Sequence, residues 1–355
     1  MGAPRTVRAE IARAFIDDVF RAQGLPAADS TRIAELMTEA DLTGADAHGI
    51  FRLPHYIRRL KGGAVNPTPN IKVNKTAPAT ALVDGDNGMG HLVMSRAAET
   101  AIDLARECGV AWVGATHSNH ASTAGIYAEM PVHHGMIGLY AAIANANHMA
   151  VWGGAELLLG TNPLGIGVPS GAGPLVLDMA TTVVSYGTVK KYAMQGLSMP
   201  EGWFVDAKTG APLTDPKRSS EGVLLPIGGY KGAGLALMLG LLAGVLNGAA
   251  FGRDVIDFNA DDTSETNTGH FICAIDVKRF IPLETFTAEV DRHMDDLHGS
   301  KRLPGFDAIR LPGERRRAGR AERLRDGIPL PDALVAQLDT LASEMGVESL
   351  ERRMG

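Results

Sequence analysis

Residues 232–249 form a run of eighteen without a single charge, and apart from Asn247 every side chain in it is apolar or absent. Water on all sides is not an option for such a run, so either the fold or a bilayer must enclose it. Eighteen residues reach the lower limit of a membrane span. The run is nevertheless solitary and rich in glycine and alanine, which allow neighbours to pack closely. The rest of the chain is of ordinary globular make-up, 45% hydrophobic and 21% charged. A buried core helix in a soluble protein is the expectation, and 355 residues suffice for two or three domains around it.

A formal net charge of -6 gives no electrostatic reason to expect a nucleic-acid partner. Cys108 and Cys273 are the only cysteines, too few for a disulfide framework or a four-cysteine metal site, and both are expected as small buried residues. Arg5, Arg8, Glu10 and Arg13 interrupt any secretory leader, so a cytoplasmic setting is expected. Met1-Gly2-Ala3-Pro4-Arg5-Thr6 fits a myristoylation pattern in form, but so short a match arises easily by chance. Val7, Ile11, Phe15 and Val19 predict one helix; Ile33, Leu36, Met37 and Ala40 predict a second after Pro26. Between residues 71 and 175 short apolar runs broken by glycine, such as Ala81-Leu82-Val83 and Ala111-Trp112-Val113, predict strands mixed with helices. Leu334, Leu338, Leu341 and Met345 restore the helical period behind Pro331-Asp332.

Chemistry concentrates first at Asp46-Ala47-His48-Gly49-Ile50-Phe51-Arg52-Leu53-Pro54. Pro54 lacks an N–H and suits a first helical turn, so a helix should start near residues 50–54. Its free N–H groups and positive end would favour an anion beside His48 and Arg52, and Arg52 is suited to a bidentate grip on a carboxylate. A second cluster, His117-Ser118-Asn119-His120, should open a loop after a strand. Two histidines three apart invite a metal, but no further ligand pattern and no His-Glu-x-x-His accompany them, so a polar active-site or core histidine is the better reading. The dinucleotide signature Gly-x-Gly-x-x-Gly is missing: Gly165-Ile166-Gly167-Val168-Pro169 has the wrong spacing. Gly228-Gly229-Tyr230-Lys231-Gly232 is a better phosphate cradle, or else a tight turn chosen for backbone freedom.

Taken in order from Asp46 to Glu314, these stretches resemble the type-2 malate/L-lactate dehydrogenase family. Sulfolactate and ureidoglycolate dehydrogenases, diketogulonate reductase and cyclic imino-acid reductases also belong to that family. The resemblance runs through Asp46-Ala47-His48-Gly49 with Arg52 and Tyr56, Ser118-Asn119-His120, Trp152-Gly153-Gly154 and Gly160-Thr161-Asn162-Pro163. It continues through Leu177-Asp178-Met179-Ala180-Thr181, Pro200-Glu201-Gly202-Trp203, Gly228 to Gly232 and Leu311-Pro312-Gly313-Glu314. It implies a mixed α/β, non-Rossmann fold, with helices layered around a mixed, largely antiparallel sheet of about seven strands and a separate helical domain. The helical domain would comprise residues 1–70 plus 285–355; residues 71–284 would bind cofactor and substrate, with a smaller subdomain inserted near 125–175. The implied activity is hydride transfer between NAD or NADP and a small 2-hydroxy or 2-oxo carboxylic acid, in a homodimer.

The same resemblance makes His48 the acid-base group, oriented by Asp178, with His120 as the second candidate. Arg52 becomes the carboxylate clamp and Thr161 a nearby donor to substrate. Asn145, Asp178, Met179, Ala180, Lys231, Gly232, Gly313 and Glu314, together with His120, fall to the cofactor. No metal, nucleic acid or membrane is implied. The run from Arg310 to Arg325 contains seven arginines and reads as a solvated helix or tail, or as a holder of cofactor phosphate. Ala47 departs from the family's usual serine and removes a hydroxyl partner for His48. That loss makes a non-catalytic cofactor-binding relative one alternative. Within the enzyme class a cyclic imine reductase is the other, disfavoured because the resemblance ties that reaction to the serine replaced here.

Overall fold

A computed structural model describes residues 5–355, so the myristoylation match falls mostly outside the described residues. The four-residue apolar spacing near the N-terminus forms α1 (Ala9–Ala22) and α2 (Ala27–Leu42), the latter with Pro26 as its cap. Next along the chain come α3 (Leu53–Lys61), α4 (Gly90–Cys108), α5 (Ala124–Glu129), α6 (Tyr186–Gln195) and α7 (Tyr230–Ala243). The C-terminal part adds α8 (Leu283–His298), α9 (Glu314–Asp326), α10 (Asp332–Met345) and α11 (Leu350–Met354). Phe15, Ile16 and Val19 of α1, Ile33 and Met37 of α2, Leu53 of α3 and Leu338 of α10 share one hydrophobic core. A short antiparallel pair, Arg5–Val7 with Ile328–Leu330, ties the two chain ends together there.

The central sheet has seven strands. In chain order they are β1 (Lys72–Ala77), β2 (Thr80–Asp84), β3 (Val110–Ser118), β4 (Met136–Ala142), β5 (Leu164–Val168), β6 (Leu175–Met179) and β7 (Thr268–Asp276). Their spatial order is β1-β2-β3-β7-β4-β5-β6. Every neighbour pairs antiparallel except β2 and β3, which run parallel because α4 carries the chain back between them. The sheet is thus mixed and largely antiparallel. Helices α4 and α5 cover one face through Val93, Ala97, Ala101 and Tyr127, and α7 covers the other through Leu239 and Ala243 against Phe271.

Residues 125–175 supply β4 and β5 to this sheet. Their glycines have a packing reason: a Cβ on Gly138 or Gly167 would stand 2.2 or 2.3 Å from the Ala128 carbonyl oxygen of α5. The helix backbone lies directly on the strands, so a texture that looks loop-like in sequence is a close helix–sheet contact. A separate small core lies later in the chain, where Val189, Met199, Phe204, Leu213 and Leu224 gather beneath α6.

Residues 232–249 do not become the fully buried helix expected of them. Helix α7 ends at Ala243, and Gly232, Ala233, Ala236, Leu239, Gly240 and Ala243 turn inward. Leu235, Leu237, Met238 and Leu241 face outward, with Met238 56% exposed. The small side chains are the ones that allow close approach, so they take the inner face and leave the large ones outside. Cys108 is likewise exposed at the end of α4, its thiol donating to the Pro78 carbonyl, whereas Cys273 is buried in β7.

Candidate active site

Two 3-10 turns, Asp46–His48 and Ile50–Arg52, lead into α3, with Pro54 in its first turn as the sequence predicts. Gly49 joins them where a Cβ would meet the Asp41 carboxylate oxygen at 2.0 Å. That buried carboxylate accepts the Ile50 N–H at 2.8 Å and fixes the second turn. From α9, Arg323 donates to the Asp41 carbonyl and the Asp46 carboxylate, while Arg320 pairs with Glu39 at 2.8 Å and Arg316 with Glu129 at 3.1 Å. Residues 315–325 thus lie on a solvated helix, one of the two readings expected, but it is not a free tail. Arg316, Arg320 and Arg323 clamp it to α5, α2 and the turn that carries His48.

His48 and His120 stack with ring centroids 5.5 Å apart. They come from opposite sides, since the loop after β3 brings His120 back over the turns before α3. The Ser122 hydroxyl fastens that loop by donating to the His48 carbonyl at 3.1 Å. His120 Nδ1 lies 2.5 Å from the Tyr56 hydroxyl, and Phe258 stacks on its ring. Burial raises the Tyr56 pKa, so its O–H is retained. The Ser122 N–H also donates to Nδ1 at 3.4 Å, so Nδ1 is engaged on both counts, while Nε2 makes no hydrogen bond among the described residues. The His48 ring has no such partner among the described residues, and Asp178 does not orient it. His117 parts from His120 altogether and meets Asp84 at 3.1 Å.

Burial pushes His48 down to about 4, with the Arg52 charge adding to the effect. His120 falls well below its ordinary value for the same two reasons, and His48 adds to the shift. Only one of two stacked rings beside a guanidinium can comfortably carry a proton. Arg52 itself donates Nε–H to the Ala47 carbonyl at 2.8 Å and Nη1–H to Asn259 Oδ1 at 3.4 Å. Lys190 of α6 donates to the same Asn259 oxygen at 3.0 Å. No carboxylate among the described residues forms a salt bridge with Arg52 or Lys190. Neither Asn259 nor Lys190 carries a signal in the sequence; Asn259 is 207 positions from Arg52 and meets it only through the fold.

Most residues expected at the cofactor gather about β6, His120 and Asn145 excepted. Thr181, just beyond that strand, donates through its N–H and its hydroxyl to the Thr161 carbonyl, both at 2.9 Å. Its own carbonyl accepts the Ile227 N–H at 2.9 Å, which sets Gly228–Lys231 beside Asp178–Ala180. Gly313 rests on the other end of β6, where a Cβ would meet the Val176 nitrogen at 2.8 Å. Glu314 accepts the Leu311 N–H and pairs with His298 at 2.8 Å. Asn145 is buried and donates to the Thr268 hydroxyl, away from Lys231. Asp178 is an exposed residue of β6. Surrounding protein raises its carboxyl pKa, the Gly125 N–H, Arg316 and the Thr123 hydroxyl oppose the rise, and solvent still reaches the side chain.

These residues fit a dinucleotide. Gly228 and Gly229 adopt φ of 60° and 65°, and a Cβ on Gly232 would strike the Ile227 carbonyl oxygen at 2.2 Å. That cradle opens α7, whose first N–H groups and exposed, unpaired Lys231 suit a phosphate.

The profile of the malate/L-lactate dehydrogenase family matches residues 7–339. Malate dehydrogenase of Pyrococcus horikoshii is 36% identical over 346 residues, covering 95% of this chain and 94% of the relative. L-sulfolactate dehydrogenase of Methanocaldococcus jannaschii is 37% identical over 342 residues, covering 96% and 97%. The solved structure of the sulfolactate dehydrogenase from that organism superposes with a TM-score of 0.90, over 98% of this chain and 99% of the other. Ureidoglycolate dehydrogenase (NAD(+)) of Escherichia coli O157:H7 is 33% identical over 317 residues, 89% of each. With sequence and fold in agreement over nearly its whole length, the chain belongs to the malate/L-lactate dehydrogenase family.

Proposed function

We propose that this enzyme moves a hydride between NAD or NADP and C2 of a small 2-hydroxy or 2-oxo carboxylic acid. The observation that carries the reading is Arg52, a guanidinium with no carboxylate partner, set beside two stacked histidines. A charge enclosed without a counter-ion is costly, and a substrate carboxylate relieves that cost in bidentate fashion. When bound, the nicotinamide supplies or removes the hydride. Gly228–Gly232, Asp178–Ala180 and Gly313–Glu314 would hold the cofactor, with Lys231 at its phosphates.

The chain's own part is to place the substrate and to move one proton. His120, held through Nδ1 by Tyr56, exchanges that proton with the substrate oxygen at Nε2. His48, ranked first from sequence, is the second acid-base candidate, because nothing fixes its ring. Anion binding at Arg52 offsets the charge that depresses both rings, so substrate itself raises the acid towards a useful pKa.

Reduced-nicotinamide absorbance, followed with NADH and with NADPH against 2-oxo acids and a cyclic imine carboxylate, tests this. Turnover of a 2-oxo acid is expected. Turnover of the imine alone, or cofactor binding with no turnover, would replace the reading by one of its alternatives.

A homodimer fits the exposed face formed by α7 and the turn that follows it, Val245–Asn247. Tyr230, Met238, Val245 and Leu246 are 63%, 56%, 55% and 61% exposed, and Trp152 beside Gly229 extends the apolar patch. Sedimentation should give twice the chain mass, and Met238→Lys should shift the protein towards monomer. A monomeric wild type would remove this assignment. A cytoplasmic location remains our expectation for an enzyme using soluble nicotinamide cofactors.

A further inference from the structure

We infer that Lys190 is a second anion clamp, so that the preferred substrate carries two negative groups: the carboxylate next to the reacting carbon and a second anionic group. This rests on the function proposed above and goes on to specify its substrate class. Lys190 and Arg52 reach one neutral oxygen, Asn259 Oδ1, at 3.0 and 3.4 Å, so the two cations lie within the span of those contacts. Like charges held that close repel, and the repulsion is visible at Lys190. Burial lowers its pKa first and Arg52 next, Asp257 partly opposes them, and Arg58 adds to the lowering.

The charged groups around the ammonium do not neutralise the pair. Asp257 is the attractive one, but it lies beyond ion-pair distance and already accepts the Asn259 N–H and Nδ2–H at 2.9 and 3.1 Å. Arg58 is paired with Asp262 at 3.3 Å. The Tyr186 ring, 5.5 Å from Lys190 Nζ, supports the ammonium from its own helix. A single carboxylate gripped by Arg52 would leave Lys190 unmatched, whereas a second anionic group satisfies it and separates the two cations.

Helix α6 explains how the clamp is delivered. Its small core around Val189 and Phe204 is distinct from the sheet, and Gly187 lies against the turn that carries His48. A Cβ on Gly187 would come within 2.7 Å of the Ala47 Cβ. The missing serine hydroxyl at Ala47 thus coincides with close seating of the helix that bears Lys190.

Oxaloacetate and pyruvate share the reacting 2-oxo carboxylate and differ in the second carboxylate, so the ratio of their kcat/KM values isolates Lys190. Wild type should favour oxaloacetate by about 10- to 100-fold, the range of a hydrogen bond to a charged group. Lys190→Gln should remove most of that ratio, chiefly through the KM for oxaloacetate, and Lys190→Arg should restore it. A wild type without preference, or a Lys190→Gln enzyme that loses both substrates equally, overturns the inference. Binding separates this failure from failure of the hydride-transfer reading. L-malate should raise the melting temperature more than L-lactate in wild type and not in Lys190→Gln, even if no 2-oxo acid is turned over. Equal shifts from malate and lactate in wild type overturn the inference without reference to catalysis.

Discussion

His120→Ala should lower kcat by about 10²- to 10⁴-fold, the range for loss of a positioned general acid-base group. The ground is geometric: Tyr56 fixes one ring nitrogen at 2.5 Å and Phe258 stacks on the ring, so Nε2 is presented in a defined direction. Loss of His48 should cost less, because its ring has no orienting partner and contributes chiefly through stacking and charge. Tyr56→Phe keeps the ring packing and removes the hydroxyl. It should reduce kcat while leaving the substrate KM near its wild-type value, as expected of a group that positions the acid without touching the carboxylate. Steady-state kinetics on the three variants decide the matter. Full activity in His120→Ala with a dead His48→Ala would return the acid-base role to His48.

Acid should unfold this protein steeply between about pH 6 and pH 4. His91 and His270 are 0% and 1% exposed, and burial pushes each down to about 3. His55, 8% exposed, is pushed down to about 4 by burial and by Arg52, Arg58 and Arg59, with Asp262 opposing. Each ring takes up a proton in the unfolded chain below about pH 6.5 but resists it in the fold. The stability they confer is complete above that pH and is lost as the pH falls towards their folded values. Together these three rings contribute up to about 4 kcal/mol of loss per pH unit, comparable within two units to the whole stability of a domain. The buried Asp41 carboxyl, its pKa raised by burial and so of opposite sign, offsets part of it.

Urea unfolding at a series of pH values measures the slope directly. His91→Leu should reduce it by one proton, and because both His91 nitrogens are buried without partners, the replacement should also stabilise the fold at neutral pH. A slope below one proton between pH 6 and 4 would show that these rings titrate normally.

Much of the site could be read along the chain. Pro54 placed the start of α3, the apolar spacing placed α1, α2 and α10, and the ordered motifs pointed to the residues that meet at β6. These are local consequences of backbone chemistry and periodicity. The roles given to particular side chains depended instead on what stood across from them. Asp178 meets the N-terminus of α5 and Arg316, not His48. Three arginines of α9, Arg316, Arg320 and Arg323, found carboxylates on other elements.

The uncharged stretch at residues 232–249 marks the same division. Sequence alone pointed to a helix without a polar face of its own, since eighteen uncharged residues leave none, and α7 takes up the first twelve of them. Only the tertiary structure decided which face is covered: Gly240 and Ala236 approach Phe251 and Asn162 closely and Leu239 packs inward, while Leu235, Leu237, Leu241 and Met238 are turned outward. The pairing of Arg52 with Lys190 across Asn259 is likewise tertiary. Charge at a distance in sequence has no local signature, and its meaning appears when the fold brings two cations to one oxygen.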